Sequence, residues 1–163
     1  MKIPAELPIE ATIGLIDTRE ELAYALAPMG SERASLATGD YSVRGLESVV
    51  ALERKSLPDL ISCIGTERAR FERELMRLLA FPVRGVIVEA SWADLETGDW
   101  RSRITPAAAT GSVLGWMASG IPFLLCGSRE AAQAATVRLL YGAARRRWRE
   151  LRTLHQSILE TTT

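Results

Sequence analysis

The sequence predicts an α/β fold: a mixed central sheet flanked by helices. Three observations carry this. Short β-branched runs alternate with stretches of helical periodicity along the whole chain. Two of the runs sit next to each other across a Gly-containing turn, as in an antiparallel hairpin. Residues 104–128 hold no charge, yet Pro106, Pro122 and four glycines divide them into a helix and a strand. A membrane span would not tolerate that punctuation so readily, so both pieces are expected to be buried.

The elements follow in order. Residues 12–16, Thr-Ile-Gly-Leu-Ile, read as a strand ending at Asp17. Thr18-Arg-Glu-Glu21 has the spacing of an N-terminal capping box, and Leu22, Leu26 and Met29 predict a helix to about residue 29. A weak strand at 33–38 meets the turn at Gly39-Asp40, and residues 41–43 continue as extended chain. After the loop 44–47, residues 48–55 form the next strand. Alternation sends Val49, Ala51, Glu53 and Lys55 to one face and Val50, Leu52 and Arg54 to the other. Ser56-Leu-Pro-Asp59 opens a short helix to about residue 64, and a second helix runs over 66–80. Residues 83–90 are a buried strand, and 92–103 a polar loop region. A buried helix over 105–119, a strand over 122–126 and a long helix from about 128 to at least 149 complete the chain.

The 163 residues suffice for one domain. With 47% apolar and 25% charged residues the composition is that of a globular protein. Cys63 and Cys126 make no disulfide framework, and a single histidine, His155, excludes a Cys/His zinc constellation. A Ser-His-Asp mechanism would have to use that one histidine near the C-terminus. No apolar leader is evident at the N-terminus, so a cytoplasmic location is expected. The net charge of zero conceals an asymmetry, because residues 138–152 contain six arginines and one glutamate. Eighteen of the twenty basic residues are arginine, which leaves Lys55 as the sole internal lysine. A lysine retained against that bias is suited to a role that needs a compact ammonium.

Asp17, Asp40 and Glu53 all fall at strand ends or turns, and Lys55 lies two residues beyond Glu53 on the same strand face. If the three strands are neighbours, these groups converge. Hard carboxylate oxygens that leave room for water suit Mg²⁺ or Mn²⁺. Such an ion activates water and neutralises charge on a phosphodiester, with the lysine beside it. The bland alternative for Glu53 and Lys55 is an ion pair at a strand end.

The residues add something more specific. Gly39-Asp40-Tyr41 followed by Glu53-Arg-Lys-Ser-Leu-Pro-Asp59 resembles the signature of the XPF family of structure-specific DNA endonucleases, Gly-Asp-Tyr and then Glu-Arg-Lys-x-x-x-Asp. The resemblance extends back to Ile16-Asp-Thr-Arg-Glu20 and forward to Arg68 and to Val86-Ile-Val-Glu89, covering about residues 12–142. It implies a restriction-endonuclease-like core forming a single nuclease domain over residues 1–163, with a basic C-terminal helical extension. It implies a divalent-metal-dependent endonuclease that cuts DNA near single-strand/double-strand junctions, such as flaps and forks, in repair or recombination. By the same resemblance Asp17, Asp40 and Glu53 are the metal-binding acids and Lys55 activates water. Arg19 and Arg54 serve activity or phosphate, Arg68 serves phosphate, Asp59 closes the motif, and Glu20 is a weaker candidate for the metal surroundings. A non-catalytic DNA-binding or scaffold subunit and a junction resolvase on the same core are the alternatives.

Family members usually carry a tandem helix-hairpin-helix domain that these residues do not contain, so a partner or the basic C-terminal helix is expected to supply DNA binding. The compact, arginine-rich chain suits a bacterial or phage protein. A homodimer is expected through the helix over 105–119, with Gly111, Gly115, Trp116 and Met117, and through Ala131, Ala135, Leu139 and Tyr141 of the last helix.

Overall fold

A computed structural model describes residues 3–160. Six strands form one sheet: β1 (Ile13–Asp17), β2 (Gly30–Ala34), β3 (Tyr41–Val43), β4 (Val50–Lys55), β5 (Val83–Val88) and β6 (Phe123–Leu125). Their spatial order is β2-β1-β3-β4-β5-β6. Only β3 runs against its neighbours; β1 with β2, and β4 through β6, are parallel. Five helices complete the fold: α1 (Leu57–Ile64), α2 (Arg68–Leu78), α3 (Trp92–Thr97), α4 (Pro106–Ala118) and α5 (Arg129–Glu160). The mixed α/β sheet expected from the sequence is the one observed.

The period of β4 decides how the layers are filled. Ala51 packs with Val86 and Val88 against α1, α2, α3 and α4, in a core that includes Leu60, Phe71, Leu95 and Val113. Val50 and Leu52 face the other way, toward Tyr24, Leu26 and the α5 residues Ala132, Val137 and Leu140. Each face of the sheet therefore has its own apolar layer, as a two-sided sheet requires.

The strand expected at 33–38 lies at Gly30–Ala34, and two expected elements change type. Residues 18–29 form no helix; turns and irregular chain connect β1 to the parallel strand β2. The backbone groups there are satisfied from outside. Arg33 donates to the carbonyls of Asp17 and Glu20, and Arg129 to those of Leu22 and Ala23. The Tyr41 hydroxyl accepts from the Tyr24 N–H. Burial of Tyr24, Leu26 and Met29 at irregular spacing overrides the local capping signal. The second difference lies in the supposed polar loop 92–103, where α3 forms. Ser91 and Asp94 make a reciprocal capping box and Gly98 ends the helix in the left-handed region.

The expected buried helix over 105–119 is buried on one side only. Ala109, Val113 and Trp116 face the core, whereas Leu114 and Met117 are exposed, as are Gly111 and Gly115. Trp116 is thus a core residue, stacked on Phe123. On α5, Leu139 is half-buried against the domain's own core and the Tyr141 hydroxyl bonds the Leu7 carbonyl. Among the described residues no helix is long and apolar enough to cross a membrane.

Candidate active site

The sheet brings three expected acids to one edge. Asp17 ends β1, Asp40 precedes β3, and Glu53 lies near the end of β4. Gly39 makes the approach possible. Its φ is +78°, and a Cβ there would stand 2.9 Å from the Leu52 carbonyl oxygen, so the turn requires glycine. The Asp40 N–H then donates to the Leu52 carbonyl (2.8 Å), and the Asp40 carbonyl accepts from the Asp17 N–H (2.8 Å). One Asp40 carboxylate oxygen accepts from the Arg54 N–H at 2.7 Å. The main chain thus fixes Asp40 between β1 and β4.

Asp17, Arg19, Asp40, Glu53 and Lys55 line a cleft of about 270 Å³, together with Arg70, Glu74 and Arg77 of α2. Burial, and then the neighbouring Glu53, push the Asp40 carboxyl up to about 7. Glu53 is likewise raised by burial, although Lys55 opposes the shift. Lys55 donates to Glu53 Oε1 at 2.5 Å. Burial alone would lower the ammonium, but the Glu53 carboxylate outweighs it and the net shift is upward. Lys55 is therefore a charged donor, suited to orient water or meet phosphate charge rather than to take a proton.

Asp17 is engaged differently. Its Oδ1 accepts from the Arg19 N–H (2.9 Å) and Nε (2.7 Å), and its Oδ2 from the Leu36 N–H (2.8 Å). Burial works to raise its pKa; these bonds prevail and lower it. Here Asp17 latches the chain on either side of the cleft, while the Arg19 side chain stays largely exposed at the rim.

Arg54 and Arg68, to which the family resemblance gives roles in activity or phosphate binding, do not line the cleft. Arg54 points through the opposite face of β4. Its side chain is 8% exposed, its Nε donates to Glu89 Oε1 at 2.8 Å, and its guanidinium lies over Tyr24. Tyr24 and Arg129 donate to the same Glu89 oxygen, and the Glu20 carboxylate lies 3.6 Å from Arg54. Glu20 also accepts from the Leu22 N–H. This is a buried structural network, and β-strand alternation dictates the side on which it forms. Arg68 turns toward α4, bonding Ser112 and Glu72 over the Trp116 ring. Asp59 closes the capping box of α1 with Ser56.

The α2 residues were missed although their signal is legible: Arg70, Glu74 and Arg77 recur at i, i+4 and i+7, one stripe of a helix. Arg70 holds Glu74 Oε1 at 2.7 Å. Glu74 Oε2 is buried without a partner and faces the same cleft as the other acids.

Among the described residues no three His, Cys, Asp or Glu side chains are arranged to hold a metal ion. Two carboxylates suffice for Mg²⁺, which keeps several waters and shares its shell with substrate phosphate. Asp40 and Glu53, which line one cleft, match that two-carboxylate requirement.

The sheet and its helices have an XPF-like nuclease fold. It is similar to XPF from Aeropyrum pernix, with a TM-score of 0.66 at 17% identity, covering 82% of this chain and 62% of that one. The same protein in complex with DNA gives a TM-score of 0.63 at 16% identity, covering 81% and 64%. The chain thus spans less than two thirds of the length of these structures. No family model and no curated protein sequence matches it.

Proposed function

We propose that the protein is a divalent-metal-dependent endonuclease that hydrolyses phosphodiester bonds of DNA near single-strand/double-strand junctions. The observation that carries this reading is the convergence of Asp40, Glu53 and Lys55 in one cleft on an XPF-like sheet. Asp40 and Glu53 would hold Mg²⁺ or Mn²⁺. The ion supplies charge neutralisation at the phosphate and an acidified bound water. Lys55, kept charged by Glu53, donates toward a non-bridging phosphate oxygen as negative charge develops there. Arg19 at the rim, with Arg70 and Arg77 on α2, sets the strand in register. One water is consumed: its oxygen bonds phosphorus, the bond to one sugar oxygen breaks, and that oxygen leaves as a hydroxyl.

The test uses labelled flap, fork, bubble and four-way-junction DNA, in Mn²⁺ and in EDTA. Cutting in Mn²⁺, abolished in EDTA and in Asp40→Asn at unchanged thermal midpoint, is expected. Undiminished cutting by Asp40→Asn would place the chemistry elsewhere. The bonds that occupy Asp17 favour a second reading, a DNA-binding subunit without catalysis, which the same assay reads as binding without cutting. We further propose a homodimer formed through the open face of α4, where Gly111, Leu114, Gly115 and Met117 are exposed. Leu139 and Tyr141 contribute less to it than the sequence suggested, because the domain core takes them.

A further inference from the structure

We propose that the groove between α1 and residues 99–104 binds an unpaired strand of DNA, with nucleobases against its apolar floor and phosphates on Arg101 and Arg103. The proposal rests on the nuclease reading and names the feature of the substrate that the site selects. The groove has a volume of about 930 Å³, far more than the acidic cleft. Ile61, Trp100 and Ile104 form its apolar wall, Arg101 and Arg103 stand at its rim, and Asp99 is the one acid lining it.

Placement favours a nucleic acid. Leu60 and Ile61 of α1 pack in the same core as Ala51, Val86 and Val88, so α1 lies on the sheet face to which Glu53 and Lys55 point. The helix starts directly after Lys55 and Ser56. It packs against α2, which lines the acidic cleft, and against α4, which follows the loop of the groove. Leu57 and Pro58 of the first turn of α1 line the groove, and Lys55, two residues before Leu57, lines the acidic cleft.

Charge favours it as well. Arg44, Arg54, Arg70, Arg129, Arg146 and Arg147 each pair with a carboxylate. Arg101 and Arg103, like Arg73, Arg77, Arg138, Arg145 and Arg149, are exposed and make no ion pair among the described residues; of these only Arg101 and Arg103 line the groove. Two free guanidinium groups beside an indole and aliphatic side chains match the requirements of single-stranded nucleic acid: cations for phosphates and apolar surface for bases. A duplex keeps its base faces stacked inside and would reach only the rim arginines.

Fluorescence anisotropy on the full chain tests this, with a labelled oligothymidylate of twenty residues and a duplex of equal length, in EDTA from 50 to 200 mM salt. For Arg101→Gln/Arg103→Gln, affinity for the single strand is expected to fall tenfold or more. The slope of log affinity against log salt should drop by about 1.4, two phosphate contacts at about 0.7 each. Duplex affinity should fall by a smaller factor, because a duplex reaches the two arginines but not the groove floor. Ser62→Phe, which fills the groove from α1 and removes no charge, should weaken single-strand binding at an unchanged thermal midpoint. Absence of single-strand binding by the natural chain overturns the proposal. So does an unchanged slope in the double variant, equal loss on both forms of DNA, or full single-strand affinity in folded Ser62→Phe. Metal-dependent cutting of flap and fork DNA reads the nuclease proposal separately: its failure with single-strand binding intact removes catalysis and leaves the groove.

Discussion

Replacing Arg54 by methionine separates its structural role from contact with DNA. The substitution keeps the unbranched apolar stem of the side chain and removes the guanidinium. Glu89 then loses its 2.8 Å bond from Arg54 Nε while remaining 11% exposed. Breaking a buried pair from one side costs about 3–5 kcal/mol. Tyr24 and Arg129 continue to donate to the same oxygen, at 2.8 and 2.9 Å, so the expected loss is smaller, about 2–3 kcal/mol. For a chain of this size that lowers the thermal midpoint by about 5–10 °C. Glu89→Gln should lose a similar amount, and the double variant less than the sum, because both remove one interaction. The pH dependence has a definite sign. Burial works to raise the Glu89 pKa, and bonds from Arg54 and Tyr24 prevail and lower it. The stability it contributes is therefore present above the ordinary carboxylate pKa and is lost as pH falls through the lowered folded value; Glu89→Gln should flatten that acid limb. The DNA-binding salt slope of Arg54→Met should match the natural chain. An unchanged midpoint together with a slope reduced by about 0.9 on duplex would refute this account and return Arg54 to the phosphates.

Other substitutions probe the cleft and the association. Gly39→Ala should cost about 2–3 kcal/mol in urea unfolding, whereas Gly45→Ala should cost only about 1 kcal/mol. Both glycines have positive φ, but only at Gly39 would the new Cβ meet backbone, the Leu52 carbonyl at 2.9 Å; equal costs would deny that contact. Lys55→Met should reduce cutting by two orders of magnitude or more in single-turnover assays and also lower the midpoint, since Glu53 is left buried without its donor. A near-normal rate would remove Lys55 from the chemistry. Sedimentation should give a mass near twice 17.9 kDa, and Gly115→Glu should restore the single mass; a monomer at micromolar concentration rules out the α4 dimer.

From Val50 to Lys55 strand β4 was legible because its signal is local, a period of two that assigns each residue to a face; the expected start at residue 48 was too early, and Val49 packs with Val50 and Leu52 rather than with Ala51. That rule also separates Arg54 from Glu53 and Lys55, and it overrides the motif's suggestion that three consecutive charged residues share one task. Residues 18–29 were illegible for the opposite reason. Their capping pattern is real, but Arg33, Arg129 and Tyr41, distant in sequence, satisfy the backbone groups that a helix would have paired. The stripe of Arg70, Glu74 and Arg77 could be seen on α2, yet nothing in the sequence states which strand end α2 would lie beside. Asp17 was placed correctly at the end of β1, but its bonds to Arg19 and Leu36 depend on the irregular chain around it.

The division of labour along β4 has a consequence for how such a chain can change over generations. Successive residues serve two masters: Glu53 and Lys55 face the cleft, while Leu52 and Arg54 anchor the layer behind it. A substitution can be accepted on one side without disturbing the other. A single-residue insertion or deletion cannot, because it would exchange the two sets and send Arg54 into the cleft while burying Glu53 or Lys55 among Tyr24 and its neighbours. This strand should therefore drift by replacement alone, and length variation should accumulate instead in the turn after β3, where Gly45 has open space around it.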